Sequence, residues 1–149
     1  MSLWSQIKYA MNSTLGTSEF KPLDKIIEGQ RTWGASDVLI KLLTTSAGYF
    51  SDTTLGSFTP KVGGSVRVFA FAFAENYVGD SAYLRVYRGD TLVASTSAKI
   101  TNNGTTPMSI DISITAGEKY TVKGYTSSTT SSLKSVSVCG SLIDASLME

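Results

Sequence analysis

Phe58-Thr-Pro-Lys-Val-Gly-Gly-Ser-Val-Arg-Val-Phe-Ala-Phe-Ala-Phe-Ala-Glu75 is the most hydrophobic and most regular stretch of this chain. Pro60 and the pair Gly63-Gly64 interrupt any helix, and from Ser65 onward the residues alternate with a period of two, the signature of a strand. Arg67, Phe69, Phe71 and Phe73 then point one way. Val66, Val68, Ala70, Ala72 and Ala74 point the other, so after Arg67 neither face suits water. In an antiparallel protein one face of a strand meets the core and the other meets solvent, so a two-faced apolar strand asks for a second cover. The phenylalanine face suits a sandwich core. The small face of Val66, Val68, Ala70, Ala72 and Ala74 is expected to receive a neighbouring subunit, although the faces are exchangeable and cover by the chain itself would serve as well.

Working outward, the remaining segments read as short strands separated by turn residues. Val38–Thr44, Ala47–Phe50 and Thr53–Thr59 precede the long strand, the first of them also compatible with a helix. After it, Ala82–Arg88 sets Leu84 and Val86 against Tyr83, Arg85 and Tyr87, and Arg88-Gly89-Asp90-Thr91 makes a tight hairpin to Leu92–Ala98. The tripeptide Arg88-Gly89-Asp90 matches an adhesion motif of animal cells, but turn chemistry already accounts for it. Met108, Ile110, Ile112 and Ile114 alternate with Ser109, Asp111 and Ser113. Tyr120 and Val122 face in from the next strand, Thr126–Ser132 reads as a low-complexity polar loop, and Leu133–Leu142 closes the domain with Val136, Val138, Gly140 and Leu142 on one face. The expectation is a mainly β protein: an antiparallel, jelly-roll-like β-sandwich of about eight strands over 31–149, preceded by a short helical segment over 1–30.

In that first segment Trp4, Ile7, Met11 and Leu15 form one apolar stripe at helical spacing, and Phe20, Leu23, Ile26 and Ile27 form a second, with Pro22 near its first turn and Gly29 ending it. Helices this short are marginal alone, so the stripes must dock on the β domain, on copies of themselves or on another protein. Gln6-Ile-Lys-Tyr-Ala-Met-Asn-Ser-Thr-Leu-Gly-Thr-Ser-Glu-Phe-Lys-Pro-Leu-Asp-Lys-Ile-Ile27 resembles the N-terminal segment of tail-fibre-like and other minor structural proteins of phages and prophages of Gram-positive gut bacteria. Ser57–Val68 is similar to the strand that leads into β-sandwich tips of phage fibres. The resemblance implies an attachment or trimer-nucleating role for Trp4, Ile7, Met11, Leu15, Phe20, Leu23 and Ile27, a homotrimer, and contacts with other virion proteins through this segment. A helical hairpin packed on its own β domain would use the same stripes. Trp33 is expected to plug the joint that follows.

Composition narrows the chemistry. The chain has 149 residues, 13 Lys and Arg against 12 Asp and Glu, a net charge of +1 and no histidine. Scattered, balanced charge leaves no footprint for nucleic acid or an anionic membrane. Without histidine the commonest general base and the commonest transition-metal ligand are missing, which argues against an enzyme. Neither a cofactor nor a metal site is expected. Cys139 stands alone and cannot form an internal disulfide, so it is read as a small core residue. With no basic-then-apolar leader and no apolar run of about 18 residues, the chain is expected to be made in the cytoplasm, and the resemblance implies that it ends in the virion of a phage made in the bacterial host. Its surface is left to carry function. Asn76, Tyr77, Asp80 and Tyr125, with outward Tyr83 and Tyr87, could stack on a sugar and hydrogen-bond its hydroxyls, although tyrosines at a strand edge or a subunit contact would look the same. The function that the resemblance implies, with this surface as its contact, is a non-enzymatic virion protein, tail-fibre-like or baseplate-associated, whose sandwich tip touches a host-surface glycan. A capsid decoration or head-fibre protein and a monomeric carbohydrate-binding module are the alternatives.

Overall fold

The central strand does form, and it runs Gly64–Ala74 (β4) in a computed structural model that describes residues 32–44, 48–74, 79–100, 104–142 and 144–149. Before it come β1 (Leu39–Thr44), β2 (Gly48–Tyr49) and β3 (Thr53–Phe58). After it come β5 (Ser81–Arg88), β6 (Thr91–Lys99), β7 (Gly104–Ile114), β8 (Tyr120–Thr126) and β9 (Ser131–Cys139). The helical stripes at Trp4, Ile7, Met11, Leu15, Phe20, Leu23 and Ile27 lie outside the described residues.

The first sheet has the order β1-β9-β4-β7, and the second runs β2-β8-β5-β6 with β3 on the same edge of β8 as β2. The pairs β1–β9, β3–β8, β4–β7 and β5–β6 are each antiparallel. Such pairs, distributed alternately between two sheets, are the winding of a jelly roll. Among the described residues β5 and β6 are the one pair of successive strands that bond to each other, through the turn where Gly89 takes φ 58°. The chain is therefore not a succession of hairpins. From β6 onward every step in the chain changes sheets, because each strand's partner lies far away in sequence.

The assignment of the two faces of β4 is also corrected. Val66, Val68, Ala70, Ala72 and Ala74 are fully buried between the sheets, so the surface expected to receive a subunit is covered by the chain's own second sheet. Phe69, Phe71 and Phe73 lie on the outside, with Phe71 36% exposed. Bulk supplied by the flanking strands accounts for the reversal. Across from Val66, Val68 and Ala70, β7 places Ile112, Ile110 and Met108, and β9 places Leu133 beside Ala72. Large residues on both neighbours leave room for small ones at the centre, and phenylalanines there would overfill the core.

Other elements carry local surprises. Ser135 adopts φ 52° at a bulge in β9, which spaces the inward residues Leu133 and Val136 three apart and returns the strand to register at Val136 and Val138. The polar stretch after Tyr125 is a short structured turn rather than a long loop. Thr126 and Ser131 are buried, the Thr126 hydroxyl donates to the carbonyl of Ser128 (3.0 Å), and Ser127 N donates to Ser81 O (2.9 Å). Trp33 is 2% exposed; its backbone N–H donates to Gly63 O (3.0 Å) and its carbonyl accepts from Ser65 N (2.8 Å). It closes one end of the core beside β4, where a Cβ on Gly64 would lie 2.2 Å from the Trp33 carbonyl oxygen. The tail Asp144–Glu149 packs Leu147 and Met148 into the core and pairs with the 59–61 loop, Lys61 N donating to Leu147 O at 2.8 Å. Cys139 is buried as expected, with burial raising its thiol pKa, but it shares the outer side of the first sheet with Arg67, its register partner.

Candidate functional site

The second sheet carries a row of aromatic and cationic side chains on its outer face. Because Ala82, Leu84 and Val86 of β5 and Tyr120, Val122 and Thr126 of β8 are buried, alternation turns Tyr83, Arg85 and Tyr87, with Thr121, Lys123 and Tyr125, outward. Pairing of β5 with β8 sets Tyr83 opposite Tyr125, Arg85 opposite Lys123 and Tyr87 opposite Thr121. The result is one continuous surface.

Tyr83 and Tyr125 stack, with ring centroids 4.4 Å apart and 12° between planes. The Arg85 guanidinium lies 5.1 Å from the Tyr125 centroid and 6.0 Å from that of Tyr83, too close to both rings to sit beyond either along the stacking axis. It flanks the stack and leaves the outer ring faces uncovered by its own charge. Next to Tyr83, the edge strand β6 places exposed Ser97, and Ser95 stands beside Arg85. These exposed serines lie on the side of β5 away from Tyr125.

Arg85 is held in place. Its Nη1 donates to Asp52 Oδ2 at 3.0 Å, and Tyr87 OH donates to the same oxygen at 3.2 Å. The Asp52 carboxylate, through that hydrogen bond first and its charge second, raises the guanidinium pKa against the effect of burial, so the cation is permanent. Lys123 Nζ stands 4.8 Å from the Tyr87 ring centroid, a cation–π distance. An aromatic wall, a fixed cation and neighbouring hydroxyls form a surface that can take a ring whose face is apolar and whose edge is polar.

The residues expected from sequence to touch a glycan fare unevenly. Tyr125 belongs to the surface, as do Tyr83 and Tyr87. Asn76 and Tyr77 lie outside the described residues. Asp80 is corrected: it is 5% exposed and its carboxylate accepts a hydrogen bond from the Ser131 hydroxyl, where the loop before β5 meets the start of β9. A buried carboxylate with a hydroxyl partner holds these segments together rather than meeting a ligand. Arg85, Lys123, Asp52, Ser95 and Ser97 were not singled out by sequence. Alternation did place Arg85 and Lys123 outward, but nothing local revealed that β5, β6 and β8 are neighbours or that Asp52 reaches Arg85. Among the described residues no group of three or more acidic or cysteine side chains is placed to hold a metal ion.

No family model and no curated protein matches the sequence. Among solved structures, the chain is similar to a Xyl-CBM35 in complex with a glucuronic acid containing disaccharide, with 10% identity and a TM-score of 0.43 over 76% of this chain and 91% of that one. It is also similar to a pentameric capsid protein isolated from metagenomic phage sequences, seen in two structures. Identity is 17% in both; the TM-scores are 0.38 and 0.37, over 95% and 96% of this chain and 93% and 92% of those. Likeness at this level transfers neither a ligand nor an assembly.

Proposed function

We propose that this chain is a non-enzymatic structural protein of a phage particle, tail-fibre-like or baseplate-associated, that contacts a glycan of the bacterial surface through the outer face of its second sheet. The observation that carries the glycan contact is the Tyr83–Tyr125 stack with Arg85 fixed beside it and Ser95 and Ser97 adjacent. A pyranose stacks its C–H face on an aromatic ring, and its equatorial hydroxyls then need donors and acceptors at the ring's edge. The outer face of Tyr83 and the β6 serines provide that pair of environments on a rigid sheet, so little ordering entropy opposes binding. Assignment to a phage particle rests on the resemblance of residues 6–27 to the N-terminal segments of phage minor structural proteins.

The test is binding of the full chain to wall polysaccharide purified from the host bacterium, measured by calorimetry, for the wild type and for Tyr83→Ala/Tyr125→Ala. Loss of stacking should weaken binding about tenfold or more, with an unchanged far-UV spectrum. Unaltered affinity in the double variant would remove this face from the proposal, and absence of wild-type binding to host cells and wall glycans alike would remove host contact altogether.

A further inference from the structure

The first sheet presents a different surface. Leu39 and Leu42 on the edge strand β1 are 55% and 56% exposed, and with Phe69 and Phe71 they line a groove of about 480 Å³. Phe69 and Phe71 meet edge to face with centroids 4.9 Å apart, which holds the rings upright on the sheet. The apolar middle of this face is bounded by charge. At one end Arg67 is gripped by two exposed carboxylates, Asp111 through Nε (2.8 Å) and Nη2 (3.1 Å) and Asp37 through Nη1, so two acids meet one base and a negative charge is left over. At the other end Lys134, also exposed, places its Nζ 3.8 Å from the Phe73 ring centroid. Six residues of strand, about 20 Å, separate Arg67 from Phe73.

We infer that this face is the contact surface for a second copy of the chain, packed sheet against sheet about a twofold axis that lies in the interface and crosses the strands. Such an axis reverses strand direction. It lays the acidic end of one copy, at Asp37 and Asp111, over the basic end of the other, at Lys134, and does so twice. The apolar centre then meets itself, Phe69 and Phe71 of each copy covering Phe71 and Phe69 of the other with Leu42 beside them, at the spacing of about 10 Å found between packed sheets. Opposed charge at the two ends of one apolar patch is self-complementary under this operation. A threefold ring would instead need the patch to match a different surface of the neighbour, so the expected homotrimer gives way to a twofold pair as the reading of this face.

Sedimentation velocity of the full chain over a wide concentration range tests the inference. The expected result is a mass of two chains that dissociates to one on dilution. Leu42→Glu and Phe71→Glu, both at exposed positions, should each weaken association at least about thirtyfold with unchanged far-UV spectra. Lys134→Glu alone and Asp37→Lys alone should weaken it, and the two combined should restore it. A single-chain mass at every concentration, a three-chain mass, or association indifferent to Leu42→Glu and Phe71→Glu would overturn the proposal.

Discussion

Gly124 is a position where a single added methyl group should be costly. It faces the core from β8, and a Cβ built there would lie 2.5 Å from Leu133 Cδ1, 2.8 Å from the carbonyl oxygen of Tyr83 and 3.0 Å from Leu55 Cδ1. The strand cannot retreat, because Gly124 is paired with Thr53 on one side and Leu84 on the other. Leu133 and Leu55 are both buried in the same core and can yield only by leaving their rotamers. Overpacking of this kind costs about 1–3 kcal/mol, and removing a glycine from the unfolded chain returns about 0.4–1 kcal/mol. Gly124→Ala should therefore lose about 1–2 kcal/mol net, a fall in Tm of about 2–8 °C for a chain of this size. Urea unfolding followed by far-UV circular dichroism, at a concentration low enough for a single chain, measures it. Leu133→Ala supplies the control. Alone it opens a cavity and costs about 2–5 kcal/mol, but combined with Gly124→Ala it removes the closest obstacle, so the double variant should lose at least 0.5 kcal/mol less than the sum, as neighbours that share space do. Stability of Gly124→Ala within about 0.5 kcal/mol of the parent, or strict additivity of the pair, would refute the claim that β8 is clamped against the core here.

Two further outcomes follow from buried and paired acids. Asp80→Ala leaves the Ser131 hydroxyl buried without its acceptor and should cost about 1–3 kcal/mol in urea unfolding, with part of the loss recovered in Asp80→Ala/Ser131→Ala; equal stability of all three proteins would show the contact to be idle. The Asp111 carboxyl is held below its usual pKa by the hydrogen bonds from Arg67, with the guanidinium charge adding to them and burial opposing. A depressed folded pKa means stabilisation that is present above the unfolded value, near pH 4, and disappears as pH falls through the folded value. Asp111→Asn should flatten that acid limb of the stability profile and leave the neutral limb parallel to the wild type, and an identical acid limb in both proteins would contradict the pairing.

Much of the strand content was legible because period-two alternation is a local property. The strict alternation of Met108, Ile110, Ile112 and Ile114 with polar residues, the Gly89-Asp90 hairpin turn, and the inward Tyr120 and Val122 all follow from neighbours in sequence, and β5, β6 and β8 lie where those patterns put them, while β7 starts at Gly104, four residues before the alternation does. The outward tyrosines 83, 87 and 125 were legible for the same reason. The bulge at Ser135 was not, since a single residue in the left-handed region leaves no periodic trace, and the ordered turn after Thr126 was not, since its serines and threonines find backbone partners that composition cannot reveal.

By itself the sequence determined that β4 has two apolar faces, that its neighbours alternate, and that the chain carries balanced charge and no histidine. Only the tertiary structure decided which face of β4 is the core, because the choice depends on Met108, Ile110 and Ile112 from β7 and Leu133 from β9 arriving beside it with bulk that alanines complement. The same holds for both candidate surfaces: Tyr83 meets Tyr125, 42 residues away in sequence, across the β5–β8 pairing, and Leu42 and Phe71, 29 residues apart, line one groove with β9 between their strands; no local rule of period or propensity reports which distant strands become neighbours.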